Sequence, residues 1–189
     1  SVHVMDPFPI PATWPKWRGV DYGYAVPFCC LWLTRHPDGT FIVYRELYGA
    51  GLTAGEQALQ VRVLSTDEEY KASVGDHAMW ASNREGQKVK SVERQYREND
   101  VRLTKATNER VAGWERVHEY LAWDEGTEEN PDGWPPRLVV FKTCVNLIRT
   151  LPLLVKDPNH PEDIDSDSED HAPDMVRYAC MSRPWTREL

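Results

Sequence analysis

Hydrophobic positions along the chain change period several times, and the changes mark out its elements. Trp17 to Tyr22 reads as a strand stopped by Gly23. Ala25 to Thr34 (AVPFCCLWLT) is an apolar, β-rich run, His36-Pro37-Asp38-Gly39 is turn chemistry, and Thr40 to Tyr48 is again a strand. Three strands with short connections predict an antiparallel meander. Alternation along the third puts Glu46 on one face with Tyr44 and Ile42. Thr53-Ala54-Gly55-Glu56 fits a capping box opening a helix to about Leu64. Tyr70 to Gly75 is a short strand ending at Asp76. Residues 88–98 read as a charged helix and Val101 to Ala106 as a strand. Asn108 caps a helix in which Val111, Trp114, Val117 and Leu121 recur at helical spacing. A polar loop from Asp124 to Pro136 leads to a buried strand, Arg137 to Phe141, and a short helix, Val145 to Leu154. Pro173 biases Ala172 away from helical geometry, so the last helix is expected to begin at Pro173 and run to about Met181.

A meander followed by alternating helix and strand implies one α/β domain: a mixed sheet with helices on both faces. Residues 1–16, with prolines at 7, 9, 11 and 15, form an extended arm. A length of 189 residues suits a single domain spanning 1–189, which should bury roughly 70% of its unfolded surface. With 41% hydrophobic residues, eight Trp and eight Tyr, the composition excludes a disordered chain. No apolar run approaches a membrane span, and no basic-then-apolar leader opens the chain. A chain starting at Ser1 without Met is expected to be a piece of something longer. Cys29, Cys30, Cys144 and Cys180 have neither zinc-site nor disulfide-framework spacing, so they read as reduced core residues.

The net charge of −8 argues against bulk attraction to nucleic acid, but it is unevenly spread. Residues 157–174 hold eight acids and no Lys or Arg, whereas 84–118 hold nine Lys/Arg against six Asp/Glu. The acidic stretch, with prolines at 158, 161 and 173, is expected to be a mobile loop over 157–172. Two motifs fail on inspection. The Gly-rich Gly49–Glu56 stretch lacks the Lys of a phosphate-binding loop. Asp163, Asp165, Asp167 and Asp174 mimic a calcium loop, but Ser168 replaces its required glycine.

The carboxylates at element ends carry more. Asp21 ends the first strand, Asp76 follows the strand after the first helix, and Asp174 lies in the first turn of the last helix, behind Asp170-His171-Ala172-Pro173. Ligands of α/β sheets bind at the carboxyl ends of strands. Singly, each acid is also explained by turn, cap or helix-dipole chemistry. Together, converging carboxylates repel one another unless cations neutralise them, and oxygen ligands suit Mg²⁺ or Mn²⁺. An Asp in the first strand of a meander, an acid after the next strand and an Asp on a C-terminal helix resemble the plan of ribonuclease-H-like nucleases.

Four stretches sharpen that resemblance: Trp14–Gly23 (WPKWRGVDYG), Gly75–Trp80 (GDHAMW), Lys105–Trp114 (KATNERVAGW), and Pro161–Asp165 through Glu169–Tyr178 (EDHAPDMVRY). With them the chain resembles the C-terminal nuclease domain of the large terminase subunit of tailed bacteriophages, the DNA-packaging motor. The resemblance implies a metal-dependent endonuclease cutting concatemeric viral DNA by two-metal phosphodiester hydrolysis. Asp21, Asp76 and Asp174 match the metal acids; Asp170 and His171 match the neighbourhood that often joins them, and Asp170 and Asp174 stay open as the third acid. Arg84, Lys88, Lys90 and Lys105 become candidates for phosphate contacts, which position DNA without reading its sequence. The implied partners are double-stranded DNA, an upstream packaging ATPase domain, the portal and the small terminase subunit. The implied setting is the host bacterial cytoplasm, with no membrane and a monomeric isolated domain. The rival readings are another ribonuclease-H-like nuclease, such as a junction resolvase or exonuclease, and a non-enzymatic assembly module docking a partner through its acidic tract.

Overall fold

The structure, a computed structural model, describes residues 2–84, 87–88, 90–107, 109–128, 131–165 and 169–181, with backbone alone for 83, 84, 87 and 88. The strands are β1 (Val4–Met5), β2 (Lys16–Asp21), β3 (Phe28–Arg35), β4 (Phe41–Gly49), β5 (Ala72–Gly75), β6 (Asn83–Arg84), β7 (Gln87–Lys88), β8 (Thr104–Lys105) and β9 (Leu138–Phe141). The helices are α1 (Ala54–Leu64), α2 (Val92–Glu98), α3 (Arg110–Leu121), α4 (Val145–Thr150) and α5 (His171–Met181), with 3₁₀ turns at His77–Trp80 and Leu151–Leu153. Seven strands form one sheet in the order β1-β9-β4-β3-β2-β5-β8. The β2-β3-β4 meander is antiparallel; β5 and β8 extend it in parallel beside β2, and β9 and β1 beside β4. Among the described residues, no helix is long and apolar enough to cross a membrane.

Alternation along β2 sorts the helices into two layers. Gly19 faces α5, where Met175 lies so close that an added Cβ would stand 3.3 Å from its Sδ. Its neighbour Arg18 points the other way, donating to Ser65 Oγ at 2.6 Å at the end of α1. On that second face α1 and α2 are joined by Tyr96 Oη donating to Gln57 Oε1 at 3.0 Å, both side chains fully buried. The capping box of α1 is present, with Glu56 N donating to Thr53 Oγ1 and Thr53 N to Glu56. All four cysteines are free and buried.

Several expectations need correction. Residues 1–16 are more than an arm, because Val4 and Met5 pair with Val140 and Phe141 as an edge strand. The strand expected over 101–106 shrinks to Thr104–Lys105, although Val101 and Leu103 are still buried. The helix expected from 88 begins at Val92, capped by Ser91, behind the β6–β7 hairpin. The register of β4 shifts by one residue between the pairs Trp32–Arg45 and Leu33–Val43, leaving Tyr44 as the extra residue of a bulge. Glu46 therefore shares a face with Val43, not with Ile42. Finally, α5 starts at His171, two residues before Pro173. The first four N–H groups of a helix have no partner within it, so a proline third in line removes nothing. Burial of Ala172, Met175 and Val176 then holds the first turn helical. The expected Asn108 cap lies outside the described residues.

Candidate active site

Parallel pairing brings the first two acids together. Val20 pairs with Gly75, so the chain steps off the sheet at Asp21 and Asp76 side by side, and Asp76 N donates to Val20 O at 3.2 Å. Asp76 Oδ1 accepts from Ala78 N at 2.8 Å, starting the 3₁₀ turn. The plain cap role and the strand-end placement are thus both true of this residue.

The α5 helix supplies the rest, because its first two turns pass the carboxyl ends of β2 and β5. His171 and Met175, one turn apart, face β2; His171 Nδ1 lies 2.6 Å from Asp21 Oδ2. Asp174 and Tyr178 are likewise one turn apart, and Tyr178 Oη donates to Asp76 Oδ2 at 2.7 Å. Arg177 Nε donates to Asp174 Oδ1 at 3.0 Å, and Arg110 Nη1 of α3 lies 3.8 Å from Asp174 Oδ2. Asp170 sits immediately before α5, its carbonyl accepting from Asp174 N at 2.7 Å.

These carboxyls share one electrostatic neighbourhood. Burial raises the pKa of Asp21, and the charges of Asp76 and Asp174 add to the rise while His171 opposes it. Asp170 is pushed up to about 6 by burial and then by Asp174, with Asp21 contributing. The hydrogen bond to Asp21 raises His171, against burial. Burial and the Asp76 contact raise the Tyr178 hydroxyl.

Hard oxygen donors crowded around Asp21 and Asp170 are the donor chemistry that a divalent cation suits. By the chemistry of their donors, Asp21, Asp76, Asp170 and Asp174 are the side chains that such an ion would suit. In this structure one oxygen of each of three acids is held by a protein partner: Asp21 Oδ2 by His171, Asp76 Oδ2 by Tyr178, and Asp174 Oδ1 by Arg177. Among the described residues, no three His, Cys, Asp or Glu side chains are gathered at ligating distance.

The basic candidates are placed less uniformly. Lys105 pairs with Gly75 across β5 and β8, one residue from Asp76, with its Nζ 5.7 Å from the centre of the Trp80 ring. Lys90 is committed to Glu98 Oε2 at 2.9 Å. The side chains of Arg84 and Lys88 lie outside the described residues. In the acidic tract, Asp163 is bound by Arg110 Nε at 3.0 Å, and Glu169 by Arg149 at 2.6 Å and by the Tyr48 hydroxyl. Asp167 lies outside the described residues.

Tyr178, Arg177 and Arg110 were not singled out by the sequence, though one signal was there: Arg177 and Tyr178 follow Asp174 at i+3 and i+4, the spacing at which helix side chains meet. Glu46 is resolved as a structural residue. Its Oε2 accepts from Leu147 N at 2.7 Å and its Oε1 from Asn146 N at 3.0 Å, so it caps α4 from across the sheet.

No protein-family model and no curated protein matches the sequence. Solved structures match the fold. The nuclease domain of the phage P22 large terminase aligns with TM-score 0.73 and 21% identity over 96% of this chain and 88% of that one. The large terminase of the thermophilic bacteriophage D6E aligns with TM-score 0.71 and 18% identity over 96% of this chain, which spans 42% of that protein. The large terminase nuclease of thermophilic phage G20c, in a structure with bound magnesium, aligns with TM-score 0.62 and 11% identity over 95% of this chain and 92% of that one. The fold is therefore the one these terminase structures share, a mixed sheet of an antiparallel three-strand meander with parallel strands beside it and helices on its faces, as the element order implied.

Proposed function

We propose that the chain is a divalent-metal-dependent endonuclease that cuts double-stranded viral DNA during genome packaging. The observation that carries this reading is the register Val20–Gly75, which sets Asp21 beside Asp76 under the first turn of α5. The terminase fold supports the packaging context, and the magnesium bound by the G20c relative supports the choice of cation. Asp21, Asp76 and Asp174, with Asp170 beside them, would hold one or two Mg²⁺ or Mn²⁺ ions. Such ions, when bound, supply charge stabilisation to the attacking and leaving oxygens of a phosphodiester displacement.

The chain's own residues do the rest. Asp21 orients His171 through Nδ1, leaving Nε2 to hold or move a proton at the scissile phosphate. Lys105, paired with Gly75 next to Asp76, would hold a backbone phosphate without reading sequence. An upstream ATPase domain, the portal and the small terminase subunit are the partners this role implies, in the host bacterial cytoplasm.

Purified chain incubated with Mn²⁺ and a panel of linear duplex, four-way junction and single-stranded DNA tests the reading. Chelator-sensitive cleavage of the duplex is expected. Cleavage confined to junctions would move the protein to resolvase chemistry, and confinement to strand ends to an exonuclease. No cleavage together with tight protein binding by the acidic tract would make it an assembly module.

A further inference from the structure

Arg177 is fully buried, yet its guanidinium makes one charge-assisted hydrogen bond, from Nε to Asp174 Oδ1 at 3.0 Å. Neither Nη1 nor Nη2 has a hydrogen-bond partner among the described residues. Shape therefore holds this cation more than polar contacts do. Its guanidinium carbon lies 4.4 Å from the ring centre of Tyr178 and 5.5 Å from that of Trp114. Its stem runs over Gly113 of α3, where an added Cβ would stand 2.6 Å from Cγ and 2.9 Å from Cδ. Tyr178, over whose ring the guanidinium lies, is the residue whose hydroxyl holds Asp76.

We infer that Arg177, seated on Gly113, is the positioning residue of the carboxylate site, fixing Asp174 directly and Asp76 through Tyr178. An arginine cannot shed its charge, and its planar fork loses little freedom on docking, so it holds a carboxylate in one orientation. Metal ligands need placement within about 0.5 Å, and loss of the partner that orients a ligand typically costs roughly 10–100-fold in metal affinity. The inference rests on the cation-binding reading above.

The test keeps the charge and changes the geometry. Arg177→Met is the wrong variant, because deleting a cation beside the acids would itself strengthen cation binding and mask a positioning loss. Arg177→Lys retains the charge but loses the Nε bond and the planar guanidinium over the Tyr178 ring. Gly113→Ala retains every polar group and displaces the stem, and alanine suits a helix interior better than glycine, so α3 is not weakened. Binding of Mn²⁺ alone is read from the electron paramagnetic resonance of the free ion, with circular dichroism reporting the fold.

Both variants are expected to remain folded and to bind Mn²⁺ about tenfold more weakly than the parent chain. Should Arg177→Lys fail to fold, Gly113→Ala decides alone. Parental affinity in the folded variants would overturn the inference and leave the functional reading standing. Absence of saturable Mn²⁺ binding by the parent chain would overturn the functional reading itself. Unfolding of both variants would make Arg177 a packing residue and overturn the inference.

Discussion

Asp174 and Asp170 differ in how they are held, and that difference ranks them. Asp174 lies within α5 with Oδ1 bound by a buried arginine, whereas Asp170 stands at the end of the loop before it. A rigidly held carboxylate makes the better metal ligand, so the proposed site ranks Asp174 first. Asp174→Asn should abolish cleavage, and Asp170→Asn should leave reduced activity that high Mn²⁺ partly restores; cleavage rates over a Mn²⁺ titration separate the two. Asp21→Asn should leave the metal-free melting temperature unchanged or higher, because it removes a buried charge crowded by Asp76 and Asp174. A drop of several degrees by calorimetry would show that the His171 contact outweighs that crowding. The acids themselves were legible in the sequence because each ends or begins an element. Arg177 was not, because its burial depends on Gly113, 64 positions earlier and on another helix.

At the scale of elements, two carboxylates tie the layers together. Glu46 reaches from β4 to the start of α4, and Glu46→Ala should cost about 1–2 kcal/mol by urea denaturation, the loss of a cap that satisfies two helix N–H groups. Glu68 accepts from Arg45, Tyr44 and Tyr70, fastening the segment after α1 to β4. Burial pushes its carboxyl up, but the bonds from Tyr70 and Arg45 outweigh burial and hold it below the ordinary value. A depressed carboxyl stabilises the fold above its unfolded value, near 4.5, and that contribution is lost as pH falls through the lower folded value. Glu68→Gln should therefore destabilise the chain at pH 7 and flatten the fall in stability below about pH 4.5, read by denaturation across pH. Sequence pattern located α1 closely because a capping box is a local signal. It misjudged the faces of β4 because the bulge at Tyr44 is set by pairing with β3, and every side chain after a bulge changes face. It misjudged the start of α5 because Pro173 is a local signal that packing of Ala172 and Met175 overrides.

Over the whole molecule, the sheet order and α5 gather Asp21, Asp76 and Asp174 at the carboxyl ends of β2 and β5, while the net charge is −8. DNA binding by this chain should be weak and strongly salt-dependent. Lys105→Gln should lower affinity uniformly across sequences and reduce the salt slope by about one unit, measured by fluorescence anisotropy. Lys90→Gln should do less, since Lys90 is already paired with Glu98. The mixed α/β architecture was legible from element order alone; the adjacency of Asp21 and Asp76 needed the β2–β5 register, which no local pattern encodes. These acids are proposed to form one cation-dependent cutting site, and supercoiled plasmid in saturating Mn²⁺, given to the parent chain and to Asp76→Asn, decides it. Nicked and linear DNA are expected from the parent chain, none after chelation, and none from the folded variant. Intact plasmid with the parent chain, or cleavage by Asp76→Asn at the parental rate, would contradict it.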